Sequence, residues 1–161
     1  MKEIQLANGR GVAIVDDCDF DRLSKYKWHI SKHRHYTAYA RRKITRRTSI
    51  RMQTEIMQPP EGYTVDHVNG DGLDNRRSNL RIATRSQNGA NRRKKAVATS
   101  RYFGVRFRRD RIRPVAQITK DGRTIRLGSF DTEREAAMAY DAAAVDMHGE
   151  FATTNKSLGL L

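Results

Sequence analysis

The sequence predicts an α+β protein of two modules, and three observations carry that expectation. Short stretches of alternating apolar and polar residues, bounded by Gly, Asn, Asp and Pro, recur along the chain and read as strands. A single long helical pattern follows Thr132, with a capping signal at its start and Gly149 at its end. Composition also shifts at Pro59-Pro60-Glu61-Gly62 and again at the basic run beginning Asn91-Arg92-Arg93-Lys94-Lys95. A chain of 161 residues has room for one ordinary domain or two small ones.

In chain order, Ile4 and Leu6 alternate with polar neighbours, Asn8-Gly9 is a hairpin turn signal, and Val12 to Val15 can return as the partner strand. The run Asp17 to Leu23 reads as a short helix with acidic residues near its start, where the helix dipole favours them. Beyond Trp28 come strand-like pieces, Tyr36 to Arg42 and Thr48 to Met52, rich in Tyr, Ile, Thr and Arg. Their arginines suit either a sheet half turned to phosphate or an ordinary solvated face. Trp28, Tyr26 and Phe20 are assigned to the core. His29, His33 and His35 lack Cys partners and read as surface or phosphate-facing histidines.

Residues 63 to about 94 are dense in Asn, Asp, Gly and Arg. The pattern reads as a strand ending in Asp66-His67, a turn-rich loop, a return strand from Leu80 to Thr84, and a helix opening near Ser86. A hairpin followed by a helix brings Asp66 and His67 beside the helix's first turn, where Asn88 sits. A carboxylate and an amide oxygen are hard donors suited to Mg²⁺ or Mn²⁺. An imidazole next to them can take a proton from water. Asp71 and Asp74 stand beside Gly or Asn, where turn formation is the commoner role.

Residues 101 to about 155 read as three strands, Gly104 to Arg108, Pro114 to Lys120 and Arg123 to Gly128, followed by a helix. Thr132 and Glu135 form the capping box. Ala136, Ala139, Tyr140, Ala143, Ala144 and Met147 share one helical face, and its alanines let the helix lie close to a sheet.

The charge narrows the function. Thirty-two Lys and Arg against 18 Asp and Glu leave +14 at pH 7, a balance that attracts polyphosphate through counterion release. No apolar run approaches the roughly 18 residues that span a bilayer, and no basic amphipathic helix is evident, so a membrane is not an expected partner. The lone Cys18 excludes an intrachain disulfide and a four-Cys zinc site, which fits a reducing, cytoplasmic setting.

The segment from Val65 to Asn88 resembles an HNH endonuclease motif of the His-Asn-Asn subtype found in phage and intron-encoded homing endonucleases. His67, Asn79 and Asn88 match its three named positions, with eleven and eight residues intervening. The resemblance implies a ββα-metal core in which Asp66 and Asn88 hold one divalent cation, Mg²⁺ or Mn²⁺. It implies His67 as general base on the attacking water, and Asn79 as the residue that ties the loop and holds the base in place. The family's upstream Met-His-Arg-like helix is represented by Met52-Gln53-Thr54, so Gln53 stands for the His and the Arg is missing.

The last segment resembles the Apetala-type DNA-binding domain of plant ethylene-response factors. Tyr102-Phe103-Gly104-Val105-Arg106, Val115-Ala116-Gln117-Ile118, Leu127-Gly128-Ser129-Phe130, Glu135-Ala136-Ala137, Ala139-Tyr140-Asp141 and Asn155 carry the match. The resemblance implies a three-stranded sheet lying in the major groove of double-stranded DNA, with Arg106 and Arg108 at contacting positions. Arg111 and Arg126 replace the plant family's tryptophans, and Arg113 lies beside them.

The expected organisation is an HNH domain over residues 1–94 with its core at 63–94, a basic linker at 95–100, and the DNA reader at 101–155. Arg81, Arg85, Arg92, Arg93, Lys94 and Lys95 are candidate phosphate contacts. The expected activity is metal-dependent phosphodiester hydrolysis by a monomer, giving a nick, in a bacterial host cell and encoded by a phage or mobile element. The competing reading is a DNA-binding regulator with a vestigial nuclease site.

Overall fold

A computed structural model describes residues 1–9, 11–31, 37–90, 99–107 and 113–161. Separate helices accompany several small antiparallel sheets, so the chain is α+β. It divides into two units, Met1–Arg85 and Ser86–Leu161.

The first unit opens with the hairpin β1 (Lys2–Gln5) and β2 (Val12–Val15), in register from Lys2 opposite Val15 to Gln5 opposite Val12. Ile4, Ala13 and Val15 point into the core, as the alternation requires. Helix α1 (Asp17–Leu23) follows, with Asp17 and Asp19 in its first turn. Leu23 and Trp28 are fully buried, and the Trp28 indole N–H donates to the Leu23 carbonyl at 2.8 Å. Tyr26 departs from the expected core assignment. It is exposed, and its ring carries the Arg42 guanidinium 3.9 Å from the centroid.

Next comes a three-stranded sheet of β3 (His29–Ser31), β4 (Tyr39–Lys43) and β5 (Ser49–Arg51). The second strand starts later than expected, and the third stops at Arg51 because Met52 begins α2 (Met52–Met57). Met52, Gln53 and Ile56 turn that helix toward the core. Gln58 closes it at φ 44°, its N–H returning to the Thr54 carbonyl, and Pro59-Pro60 forbid continuation. The strands β6 (Thr64–His67) and β7 (Leu80–Ala83) form the second hairpin, against which α2 packs. Helix α3 (Arg85–Ala90) follows in the chain.

In the second unit β8 (Val105–Phe107), β9 (Pro114–Lys120) and β10 (Arg123–Ser129) form an antiparallel sheet in the order β10-β9-β8. Asp121 at φ 50° and Gly122 at φ 76° make the two-residue turn that the strand twist prefers. Helix α4 (Glu133–His148) begins with both bonds of the Thr132–Glu135 capping box. Ala136, Ala137, Tyr140 and Ala144 are its buried face, set against Ala116 and Ile118 of the central strand. Gly104 sits at φ 69° under the Tyr140 ring, where any Cβ would collide with that ring. Asn155, fully buried, bonds the Phe103 N–H and carbonyl together with Asp141, and so ties the chain end to the sheet and helix.

Candidate active site

The second hairpin of the first unit ends in polar residues that are nevertheless buried: Asp66, His67, Asp74, Asn75 and Asn79. Buried polar groups are tolerable only when hydrogen-bonded, and here the loop between the strands supplies the bonds. The Gly70 N–H returns to the His67 carbonyl, the Asp71 N–H to Asn69 Oδ1, and the Leu73 N–H to Asp71 Oδ1. Asn79 staples the two ends together. Its Oδ1 accepts from the Asn69 N–H at 3.0 Å, and its Nδ2 donates to Asn69 Oδ1 at 3.0 Å and to the Asp74 carbonyl at 2.8 Å.

His67 bonds Asn75, with Nε2 and Oδ1 3.3 Å apart. The orientation of this amide is set from its other end, because Asn75 Nδ2 donates to the Leu73 carbonyl at 3.1 Å. The oxygen therefore faces the imidazole and must accept. The ring proton lies on Nε2, and Nδ1 keeps the basic lone pair. Burial lowers the His67 pKa below its ordinary 6.5, against the opposing pull of the Asn75 bond and of Asp66, Asp71 and Asp74. The imidazole is thus neutral at pH 7, the state a general base needs. Tyr39 packs on it, ring centroids 5.8 Å apart at a 48° tilt.

The amino-terminal strands anchor the loop that carries Asn75. The Ile14 N–H donates to the Leu73 carbonyl at 2.9 Å, and the Asn75 N–H to the Ile14 carbonyl at 2.8 Å. Two residues on, the Arg77 N–H donates to Asp16 at 2.8 Å, and its guanidinium bonds the buried Asp19 at 2.8 and 2.9 Å. Asp74 is held by Arg76 at 2.7 and 2.6 Å and by Asn69 at 2.9 Å. Gly72 fits because it lacks a side chain; a Cβ there would overlap the Ala38 carbonyl and the Tyr39 ring.

Asp66 lies directly opposite Arg81 across the hairpin, and its Oδ2 receives Arg81 Nη2 at 2.8 Å and Nε at 3.0 Å. Arg81, expected from sequence to meet phosphate, is engaged by this carboxylate. Among the described residues no group of three or more His, Cys, Asp or Glu side chains gathers to hold a metal ion. Asp66, the residue before His67, offers a hard carboxylate oxygen. A donor of this kind fits a cation such as Mg²⁺, which keeps several waters and takes further oxygens from a phosphate substrate. It does not fit a closed zinc site.

Asn88 is half-buried on α3, at the start of the second unit. Arg85 is exposed. In the second unit Arg106 pairs in register with Val115 and Arg126 with Gln117, so both occupy the sheet face opposite Ala116, Ile118 and α4. Both are exposed, and Arg126 donates to Ser129 Oγ at 2.6 Å. Arg113 is ion-paired with Asp131 at 3.0 Å. Arg92, Arg93, Lys94, Lys95, Arg108 and Arg111 lie outside the described residues, as do His33 and His35.

One residue of the site, Asn75, escapes sequence reasoning. Asn75 bonds His67, yet within Asp74-Asn75-Arg76 it is indistinguishable from an ordinary turn asparagine. Gln53 is buried, with no hydrogen-bond partner for its amide oxygen among the described residues.

A family model described as HNH endonuclease matches residues 58–90, the span of the buried polar hairpin. The chain is 32% identical over 152 residues to an uncharacterized HNH endonuclease of Acanthamoeba polyphaga mimivirus, a match covering 94% of this chain and 79% of that protein. It is 29% identical over 93 residues to Protein 3.8 of Escherichia phage T7, covering 58% of this chain and 76% of that one. No solved structure matches the chain at a significant level.

Proposed function

The chain belongs to the HNH endonuclease family, and from that premise we propose that it is a metal-dependent, homing-type endonuclease that nicks duplex DNA with His67 as its general base. One observation carries the reading: an imidazole, kept neutral by its burial and in a single tautomer by Asn75, follows the hard carboxylate of Asp66 at the end of the strand. A lone histidine in an apolar core would need none of this machinery.

The chemistry follows from the residues. The Nδ1 lone pair of His67 takes a proton from water as the water oxygen bonds to phosphorus and the bond to the leaving oxygen breaks. Asn75 keeps the ring in the tautomer that can do so. Asn79 closes the loop behind it. Asp66 and, on the resemblance, Asn88 would hold a divalent cation, Mg²⁺ or Mn²⁺, which would supply charge neutralisation to the phosphate. Arg81 holds the Asp66 carboxylate in place. One such site per chain makes a nick the product of a monomer.

For the second unit we propose the role of an Apetala-type DNA reader. Its three-stranded sheet, backed by α4, turns Arg106 and Arg126 to one open face, a layout suited to presenting a few side chains to a groove. Arg85, Arg92, Arg93, Lys94 and Lys95, with Arg108 and Arg111, add candidate phosphate or base contacts. The viral and phage relatives support an origin in a mobile element. Among the described residues no helix is long and apolar enough to cross a membrane. The test is to incubate supercoiled plasmid with the full chain and Mg²⁺. Conversion to open circles that chelator abolishes is the expected result. An intact plasmid under all metal conditions, with DNA still bound, would favour the regulator reading.

A further inference from the structure

The described arginines from Arg22 to Arg81 fall into two groups. Arg22, Arg42, Arg76, Arg77 and Arg81 each pair with a carboxylate. Arg41, Arg46, Arg47 and Arg51 do not, and among the described residues no carboxylate lies within ion-pair distance of them or of Lys43. These five cations belong to one hairpin, β4 and β5 with their turn, and all are exposed.

Strand geometry puts most of this charge on one side. Along β4 the odd positions Tyr39, Arg41 and Lys43 share a face. Ala40, fully buried, and Arg42, engaged with Glu55 and the Tyr26 ring, take the other. The register sets Arg41 directly opposite both His29 and Arg51, a cross-strand row of three basic side chains. Like charges placed opposite one another destabilise a sheet, so an anion lying across the row would relieve a repulsion already built into the fold.

The same face runs into the candidate active site. The Arg51 guanidinium lies 4.8 Å from the Tyr39 ring centroid, and that ring is the one packed on His67. Gly72, in the loop beside the base, abuts Ala38 and Tyr39 so closely that no side chain fits between. The sheet cannot shift without disturbing the site.

We infer that the His29, Arg41, Lys43, Arg51 face of this sheet, extended by Arg46 and Arg47 in the turn, is a docking surface for the phosphate backbone of the substrate duplex. It holds the strand that His67 attacks, independently of the second unit. The inference rests on the reading of the chain as a DNA nuclease and adds a contact surface to it.

The test compares two full-length double variants of equal charge loss. Arg41→Gln with Arg47→Gln removes two cations from the face. Lys25→Gln with Lys27→Gln removes two exposed cations from the turn after α1. Binding to a short duplex is measured in chelator across a salt series, and plasmid nicking is measured separately in Mg²⁺. The face variant should reduce the slope of log affinity against log salt by about 1.8, two contacts at ~0.9 each, while the control changes it by less than half as much. Nicking at saturating DNA should stay within twofold of wild type for the Lys25→Gln with Lys27→Gln control. An unchanged slope in the face variant, or an equal loss in both variants, overturns the surface. Should the face variant melt early, Arg46→Gln with Arg47→Gln, confined to the turn, carries the same expectation. A wild-type chain that binds with the expected slope difference yet never nicks overturns the nuclease reading and leaves the surface standing.

Discussion

Removing the Asn75 side chain separates the two tasks assigned to it. Asn75→Ala deletes the acceptor facing His67 Nε2 and the donor to the Leu73 carbonyl, two bonds made by a fully buried side chain. At about 0.5–1.5 kcal/mol net for each bond, the fold should lose about 1–3 kcal/mol, visible as a lower urea midpoint with unchanged slope. The effect on chemistry is bounded from both sides. Without Asn75 the two neutral tautomers of His67 become comparable, which alone halves the competent fraction. Loss of orientation adds to this but cannot exceed the ~10²–10⁴-fold that general-base catalysis contributes. We expect kcat for nicking to fall by ~10- to 100-fold, with KM little changed, measured under conditions where the variant remains folded. Asn75→Asp sharpens the test. A carboxylate accepts the same bond but stabilises the imidazolium, so the acid limb of the pH profile should move to higher pH, which a purely structural role would not produce. Wild-type kcat in folded Asn75→Ala, or an unmoved limb in Asn75→Asp, refutes the reasoning.

The remaining predictions follow from single features of the site. Burial lowers the His67 pKa, so at any given pH more of the base is neutral; kcat/KM should fall on acidification through a midpoint below 6.5, and a midpoint above that value contradicts the placement. Gln53 buries an amide oxygen without a partner among the described residues, a defect worth about 1–3 kcal/mol, so Gln53→Met should raise the urea midpoint, and a loss of stability would show that the oxygen is satisfied in solution. Gly72→Ala places a Cβ onto the Ala38 carbonyl and the Tyr39 ring; stability should drop by about 1–3 kcal/mol as the loop is displaced, and nicking should drop with it.

What the sequence made legible follows from how local each signal is. The β9–β10 hairpin carries turn residues, Asp121-Gly122, that dictate its geometry, and the capping box announces α4, whereas Asn8-Gly9 marks a longer connection whose 3-10 turn spans Ala7–Gly9. His67 and Asn79 stand out because strand alternation gives way there to a dense polar run. Tyr26 departs from its core assignment because an exposed aromatic stacked under Arg42 has the same local sequence character as a core aromatic. Asn75 was hidden for a different reason. Its importance comes from Ile14, some sixty residues earlier, whose carbonyl fixes its backbone, and from a bond to His67 across the loop. The sorting of arginines was also illegible, since Arg41 and Arg42 are neighbours in sequence and only the pleat sends one to solvent and the other to Glu55.

The central claim is that His67 is the base that activates water. Single-turnover nicking of a defined duplex by wild type and His67→Ala, at saturating protein and in Mg²⁺, tests it most directly, with binding measured in parallel in chelator. The account predicts a rate at least ~100-fold lower in the variant, with affinity for DNA little changed. A variant that nicks at the wild-type rate would contradict it.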